Sequence, residues 1–371
     1  MLKLKENIYA VGAVDADVRM FHGYETPIGT TYNAYLIMDE QITLIDFVKA
    51  PFAGVLLDNI REVIGDRPVD NIICLHVEPD HSGALPDVVK AYPNAVVYGS
   101  ANCGKELAMY YPDSVYEFKA VGLNDRLQTG RYSFSFIPMP MVHWPDSMSC
   151  YLAEEKVLFT NDALGEHIGT GERIDTELSL EKLYDRAANY YANIVMPFGM
   201  QVQKLLKSVA GLAVEMVCPS HGVVLTKYIA EMVGWYNDWS LGKLDENRIV
   251  IVYDTMWGTT EKMAKKYYEE YKSKGFDAEI IKLSEKHYSY ALERCLTAKY
   301  IFVGSSTLNN EMMPTVAAFL TYMRGLKPKG RTAKAFGSYG WSGESVKKIE
   351  SYLEDMGFEL LPGERVLWNV K

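Results

Sequence analysis

The stretch Leu75-His76-Val77-Glu78-Pro79-Asp80-His81-Ser82-Gly83 constrains this chain more than any other, because it sets four potential metal ligands within six positions. It follows an apolar run, Ile72-Ile73-Cys74-Leu75, that reads as a buried strand. Pro79 and Gly83 keep the segment from continuing as strand or helix. Side chains at a strand end can converge, with His76 and Glu78 turned to one side and Asp80 and His81 to the other, so one loop can serve two ions. Imidazole and carboxylate without thiolate suit iron, manganese or zinc rather than a thiolate-bound structural zinc. A His-x-His-x-Asp-His loop would look like the di-zinc hydrolases of the metallo-β-lactamase superfamily. The carboxylate of Glu78 adds harder, anionic oxygen and favours an ion that cycles between ferrous and ferric.

Three more candidate ligands share one setting, each just past an apolar run. His143 follows a strand within Tyr132 to Met141, Asp162 follows Val157-Leu158-Phe159-Thr160, and His221 follows Met216-Val217-Cys218-Pro219. Corresponding strand ends share an edge of the fold, where α/β proteins build sites. Of the seven histidines, His22 is a candidate structural or pocket residue, and His167 and His287 read as surface residues. Thr31 to Ile37 and Ile42 to Ile45 read as a hairpin, and 52–64, 84–91 and 180–192 as helices.

A length of 371 residues favours two or three domains, and 48% hydrophobic with 23% charged residues is a globular composition. There is no apolar run of about 18 residues to span a bilayer. The N-terminus lacks the apolar core of a signal peptide, so a cytoplasmic location is expected. Five dispersed cysteines with no Cys-x-x-Cys pair argue against a disulfide framework and against a rubredoxin or iron–sulfur module within the chain. Any electrons must then arrive from another molecule. A net charge of −10 argues against nucleic acid as a partner. The cluster Lys327, Lys329, Arg331 and Lys334 reads as a solvated loop.

The polar stretch Asp238 to Asn247 reads as a linker, dividing the chain into domains at 1–245 and 249–371. Beyond it come a buried strand, Ile249 to Tyr253, the turn Asp254-Thr255-Met256-Trp257-Gly258-Thr259-Thr260, and a helix from Glu261 to Lys274. Backbone amides and hydroxyls at such a helix start cradle phosphate. The turn has no lysine, so it is not a nucleoside-triphosphate loop; neutral donors around one phosphate suit a mononucleotide such as FMN. Ala278 to Leu283, Tyr300 to Gly304 and Ala333 to Gly337 read as further strands of a doubly wound sheet. Ser306, Thr307, Leu308 and Asn309 after one strand, and Ser338, Tyr339, Gly340 and Trp341 after another, would flank its switch point and offer a flavin amides and an aromatic face.

With both halves read, the chain resembles the flavodiiron proteins, also called A-type flavoproteins, of the class without a fused rubredoxin domain. His76, Glu78, Asp80, His81, His143, Asp162 and His221 match that family's di-iron ligand pattern, with Asp162 at the bridging position. Val142-His143-Trp144-Pro145-Asp146 and Pro219-Ser220-His221-Gly222 are also similar, as are the loops around Trp257, Asn309 and Trp341. The resemblance implies a metallo-β-lactamase-like αββα sandwich carrying two irons, followed by a flavodoxin-like doubly wound parallel sheet carrying FMN. It implies a head-to-tail homodimer, or a dimer of dimers, with one chain's flavin beside the other's irons. The chain stops just after Val366-Leu367-Trp368-Asn369-Val370, so the last flavodoxin helix is expected to be missing.

The expected function is reduction of dioxygen to water, of nitric oxide to nitrous oxide, or of both, with electrons from a rubredoxin, a reduced deazaflavin coenzyme or a flavin reductase. Tyr24 and Phe198 are candidates for lining the substrate pocket. The rival reading is a zinc hydrolase on the same N-terminal fold, which predicts a histidine where Glu78 stands and leaves the flavodoxin-like half without a role. A flavin electron carrier with a vestigial metal site is a third reading, and the full ligand set speaks against it.

Overall fold

The computed structural model describes residues 1–368. Two compact units emerge: 1–19, 26–190 and 200–237 form the first, and 20–25, 191–199 and 238 onward form the second.

The first unit is built on two sheets. A seven-stranded sheet runs in the order Leu2–Lys5, Ile8–Ala10, Tyr35–Ile37, Thr43–Ile45, Asn71–Ile73, Val96–Gly99, Glu117–Ala120. A five-stranded sheet runs Arg126–Gln128, Ser133–Pro138, Met148–Leu152, Val157–Asn161, Met216–Pro219. The inward faces meet in one apolar cluster that joins Ile37, Ile45 and Ile73 to Phe134, Phe136 and Phe159. Phe134 and Phe136 alternate inward along their strand, as period-two patterning requires. Each such buried side chain stabilises the sandwich by roughly 1.5–3 kcal/mol. The helices Ala53–Ile64, Leu85–Ala91, Ala101–Tyr110 and Leu180–Tyr190 follow the apolar periodicity of the sequence. The last of these ends in a π-helical turn, Tyr191–Val195, rather than continuing as α-helix to 192.

The segment 31–37 is not one strand of a hairpin. Thr30–Tyr32 pairs with Ala13–Asp15, and Tyr35–Ile37 pairs with Thr43–Ile45. The break falls at Asn33, whose backbone N–H donates to the Ser220 carbonyl (2.8 Å). Its side-chain amide donates to the carbonyls of Pro219 (2.9 Å) and Gly222 (3.0 Å). Residue 33 is thus tied to the loop that carries His221.

The polar stretch 238–247 is no free linker. It comprises the end of the helix Ile229–Ser240, a short turn, and the start of the strand Asp245–Asp254.

The second unit holds a six-stranded, all-parallel sheet in which Asp277–Lys282, Asp245–Asp254, Ala298–Ser306 and Thr332–Tyr339 lie side by side. Glu359–Leu360 and Glu364–Leu367 both pair with the last of these. In chain order this is 2-1-3-4-5, the flavodoxin-like arrangement with its switch point between the first and third strands. Both faces are apolar: the helix Thr259–Ser273 covers Ile249, Ile251 and Phe302, while Tyr288–Arg294, Pro314–Leu326 and Ser345–Asp355 cover Val250, Val252 and Val303. Glu364–Leu367 is the last element described, and residues 369–371 of the terminal apolar segment lie outside the described residues. Among the described residues no helix is long and apolar enough to cross a membrane.

Candidate functional site

Strand direction gathers the metal-ligand candidates. In the five-stranded sheet Ser133–Pro138 and Val157–Asn161 flank an antiparallel neighbour, and Met216–Pro219 runs parallel to Val157–Asn161. All three therefore finish at the same edge, just before His143, Asp162 and His221. The other sheet contributes Asn71–Ile73, which finishes just before His76. The two edges are joined where the Asn161 amide and the Met148 N–H both donate to the Leu75 carbonyl, at 3.2 and 3.0 Å.

After Leu75 the backbone makes one turn of helix, Pro79–Ser82, where a loop free of helix was expected. Proline at the first helical position needs no N–H partner and has φ already set for a helix, so Pro79 starts the turn rather than preventing it. The turn lifts Asp80 and His81 to the opposite side of the loop from His76 and Glu78. Gly222, at φ +81°, lets the chain reverse after His221, and a Cβ there would stand 2.3 Å from the Glu166 carboxylate.

Two nests of ligand atoms result: His76, Glu78, His143 and Asp162 in one, and Asp80, His81 and His221 in the other. Asp162 faces both. Its Oδ2 is 3.3 Å from His143 Nε2 and 3.6 Å from His76 Nε2, and its Oδ1 is 3.1 Å from His81 Nε2 and 3.5 Å from His221 Nε2. Glu78 Oε2 is 3.3 Å from both His76 and His143, and Asp80 Oδ2 is 3.1 Å from His221.

The far nitrogens of two rings are fixed. His76 Nδ1 lies 3.0 and 3.1 Å from the Asp146 carboxylate oxygens, and His221 Nδ1 lies 2.6 Å from the Thr31 carbonyl. A ring that donates from Nδ1 presents a lone pair at Nε2, the form a metal takes. Asp146 is fully buried and also accepts the Val77 N–H at 2.8 Å.

The charges in these nests are unfinished. The oxygens of Asp80 and Asp162 are buried and, among the described residues, face no donor but the imidazoles around them, an expensive state for ionised carboxylates unless a cation neutralises them. Burial pushes Glu78 up, but hydrogen bonds from His143 and His76 outweigh it and bring its carboxyl to about 2. Burial raises Asp162 too, yet the facing His81 and His143 hold it well below the usual carboxylate range. Burial lowers His81 and His143, and the carboxylates around them outweigh this and hold both at about 9. Those imidazolium protons occupy the place of the positive charge that two metal ions would bring.

In the second unit the loop candidates gather at the switch point. Gly258, at φ +84°, precedes the helix Thr259–Ser273, and its N–H donates to Thr255 Oγ1 at 3.1 Å. Thr260 Oγ1 lies 3.2 Å from Ser306 Oγ and 2.8 Å from Ser338 Oγ, which brings hydroxyls from three loops to one point. Met256 N–H donates to Ser306 Oγ at 3.2 Å. Thr307 N–H donates to the Ser338 carbonyl at 2.8 Å, and Leu308 and Glu311 close a turn through Asn309 and Asn310, both at positive φ. Trp257 and Trp341 project from this edge 90% and 86% exposed, with Met256, Tyr339 and Gly340 beside them in the chain. A hydroxyl cluster at a helix start flanked by two open indole rings fits a mononucleotide carrying a planar ring.

Residues 30–222 match the ODP family beta lactamase model, and residues 251–364 match flavodoxin. The rubredoxin-oxygen oxidoreductase of Megalodesulfovibrio gigas is 37% identical over 363 residues, covering 96% of this chain and 90% of that one. The nitric oxide reductase of Moorella thermoacetica is 37% identical, covering 98% and 93%. The solved flavodiiron protein of Giardia intestinalis superposes with a TM-score of 0.97 at 31% identity, covering 100% of this chain and 92% of that one.

The chain is a flavodiiron protein.

As a flavodiiron protein it is an oxidoreductase with FMN and a di-iron pair as its cofactors. Its residues fit both groups: the buried Asp80 and Asp162 oxygens and the Nε2 lone pairs for the irons, the hydroxyl cluster for a phosphate. The flavodiiron protein's Tyr24 belongs to a short hairpin, Met20–Phe21 with Tyr24–Glu25, and Phe198 to the turn Met196–Phe198; both are in the second unit. His22 is exposed at the tip of that hairpin.

Three readings of the sequence need correction. His167 is buried, not at the surface: its Nδ1 is 2.7 Å from Thr30 Oγ1 and its ring is 5.1 Å from that of His221. His287 is half-buried and caps the helix Tyr288–Arg294. Arg331 is buried as well, donating to the Leu296 carbonyl at 2.7 Å. Of the supporting residues, Asp146 belongs to the motif Val142-His143-Trp144-Pro145-Asp146 without a role of its own in the sequence reading, and Thr31 has none. Asp146 carries a usable signal in its place after His143, whereas Thr31 acts through a backbone carbonyl that any residue possesses.

Proposed function

We propose that this flavodiiron protein reduces dioxygen to water, nitric oxide to nitrous oxide, or both, with electrons that an external donor delivers through FMN. The observation that carries this reading is the single carboxylate of Asp162 turned toward two separate nests, one oxygen to each. In this reading His76, Glu78, His143 and Asp162 would hold one iron, and Asp80, His81, His221 and the same Asp162 would hold the other. When bound, the di-iron pair and FMN supply the redox chemistry.

The residues of the chain supply geometry. Asp146 and the Thr31 carbonyl keep His76 and His221 in the tautomer that ligates. The one-turn helix at Pro79 separates the two halves of the ligand loop, so neighbouring residues serve different ions. Glu78 gives its nest a second anionic oxygen in addition to Asp162, which suits iron better than the histidine expected of a zinc hydrolase. Thr260, Ser306 and Ser338 would hold the FMN phosphate with neutral donors, and Trp257 and Trp341 would offer its ring aromatic faces.

A rubredoxin-type protein is the proposed donor, supported by the name of the Megalodesulfovibrio gigas relative and by the absence of any Cys-x-x-Cys pair in this chain. A reduced deazaflavin coenzyme and a flavin reductase are the alternatives. The working form is proposed to be a head-to-tail homodimer. Mixing a chain defective in FMN binding with one defective in iron binding should then restore turnover that neither shows alone.

Anaerobic stopped-flow mixing of the reduced holoprotein with each gas tests the main reading. At least one gas should oxidise it faster than free FMN is oxidised; if neither does, the reductase assignment is wrong.

A further inference from the structure

Although the chain carries a net charge of −10, one open cavity of about 810 Å³ in its first unit is lined by two arginines and no acid. Arg173 spends one N–H on Asn33 Oδ1 at 3.2 Å, and Arg19 donates to the carbonyls of Ala16 and Val18 at 2.6 and 3.0 Å. Neither forms an ion pair with any described residue. Of the acids nearby in the chain, Asp17 is exposed, whereas Asp15 accepts from the Tyr32 hydroxyl (3.0 Å) and the Val18 N–H (3.2 Å). Glu172 pairs with Lys182 (2.9 Å), and Glu177 accepts the backbone N–H of Arg173 (2.7 Å). Burial holds the Arg173 guanidinium below its ordinary range, against smaller opposing contributions from Tyr35 and Glu177.

The remaining wall includes Val14, Pro27 and Ile28, with no aromatic ring. A guanidinium has five N–H donors in a planar fork that matches the oxygens of a phosphate, so both arginines keep donors to spare. The volume is that of ordinary small-molecule sites. We propose that this cavity binds a small organic dianion, a phosphate-type head group on an aliphatic body, with Arg173 and Arg19 holding the head and Val14, Pro27 and Ile28 covering the body. The absence of a ring to stack on argues against nucleobases and flavins as the occupant.

Calorimetric titration of the FMN- and iron-loaded protein at constant ionic strength tests this, with inorganic phosphate and n-butyl phosphate as probes. Both should bind saturably, and butyl phosphate should bind at least tenfold tighter, since each buried methylene contributes about 0.8 kcal/mol. Arg173→Gln and Arg19→Gln should each weaken butyl phosphate about tenfold, the scale of one charge-assisted hydrogen bond. In Arg19→Gln, FMN absorbance and iron content should stay unchanged. Arg19 is exposed, so its variant remains readable even if Arg173→Gln fails to fold. No saturable binding in the wild type, or binding in Arg19→Gln equal to the wild type, would overturn the proposal; neither result bears on gas reduction, which is measured separately.

Discussion

Replacing Asp146 with asparagine should strip one iron and spare the other. Asp146 is fully buried and takes two donors, His76 Nδ1 at 3.0 Å and the Val77 N–H at 2.8 Å. Asparagine keeps the volume but has only one accepting oxygen. Both donors converge on Oδ2, so an asparagine oxygen there still accepts from both, but its N–H₂ then takes the place of Oδ1, 3.1 Å from the His76 Nδ1–H. Two facing N–H groups push the imidazole toward the tautomer with its proton on Nε2, the atom needed for the metal; if the amide flips, Val77 loses its acceptor. Loss of such a supporting partner costs roughly 10–100-fold in metal affinity, and a buried donor left unpaired costs about 1–3 kcal/mol of stability. His81 and His221 do not use Asp146, so their nest should load normally. Anaerobic titration with ferrous ion against a competing chelator, followed by elemental analysis, should show two classes of site in the variant, one near the wild-type affinity and one weakened. Two sites of unchanged affinity would refute this account of how His76 is held.

Asp162→Ala should lose both irons together, whereas His143→Ala should lose chiefly one; equal stoichiometry in the two variants would contradict the shared carboxylate. In the metal-free protein His81 and His143 are held at about 9 against an ordinary 6.5. A raised folded-state value gives stability that is fully present below about 6.5 and is lost as pH rises through about 9. The melting temperature of chelator-treated protein should therefore fall across that window, while that of the iron-loaded protein, with no proton on those nitrogens, should change little. Thr260→Val removes the hydroxyl shared by Ser306 and Ser338 and should weaken FMN about tenfold in a fluorescence titration, leaving iron content intact. Gly258→Ala has open space around it but φ +84°, so backbone strain alone should lower stability by about 1–2 kcal/mol in denaturant unfolding.

What could be read in the residues was whatever side-chain chemistry announces. His76, Glu78, Asp80 and His81 crowd into one loop, and His143, Asp162 and His221 each follow an apolar run, so strand ends could be inferred before any sheet was known. The parallel half was legible for a similar reason: Ile249 to Tyr253 is apolar throughout because both faces of its sheet are covered. What escaped depended on partners distant in the chain. The split of 31–37 at Asn33 depends on the carbonyls of Pro219 and Gly222, nearly two hundred positions away. The burial of His167 against Thr30 and of Arg331 against the Leu296 carbonyl leaves no local pattern, and the Thr31 carbonyl that orients His221 has no residue type to betray it.

The candidate ligands come from both layers of the sandwich, His76, Glu78, Asp80 and His81 from the end of one sheet and His143, Asp162 and His221 from the other. Two ions bound there would act as rivets through two plates. A change in the gap between the plates, even trimming Phe136 deep in the filling, would shift the spacing of ligand atoms within both nests at once, so a packing substitution out of reach of any substrate can act as a tuning screw on the redox centre.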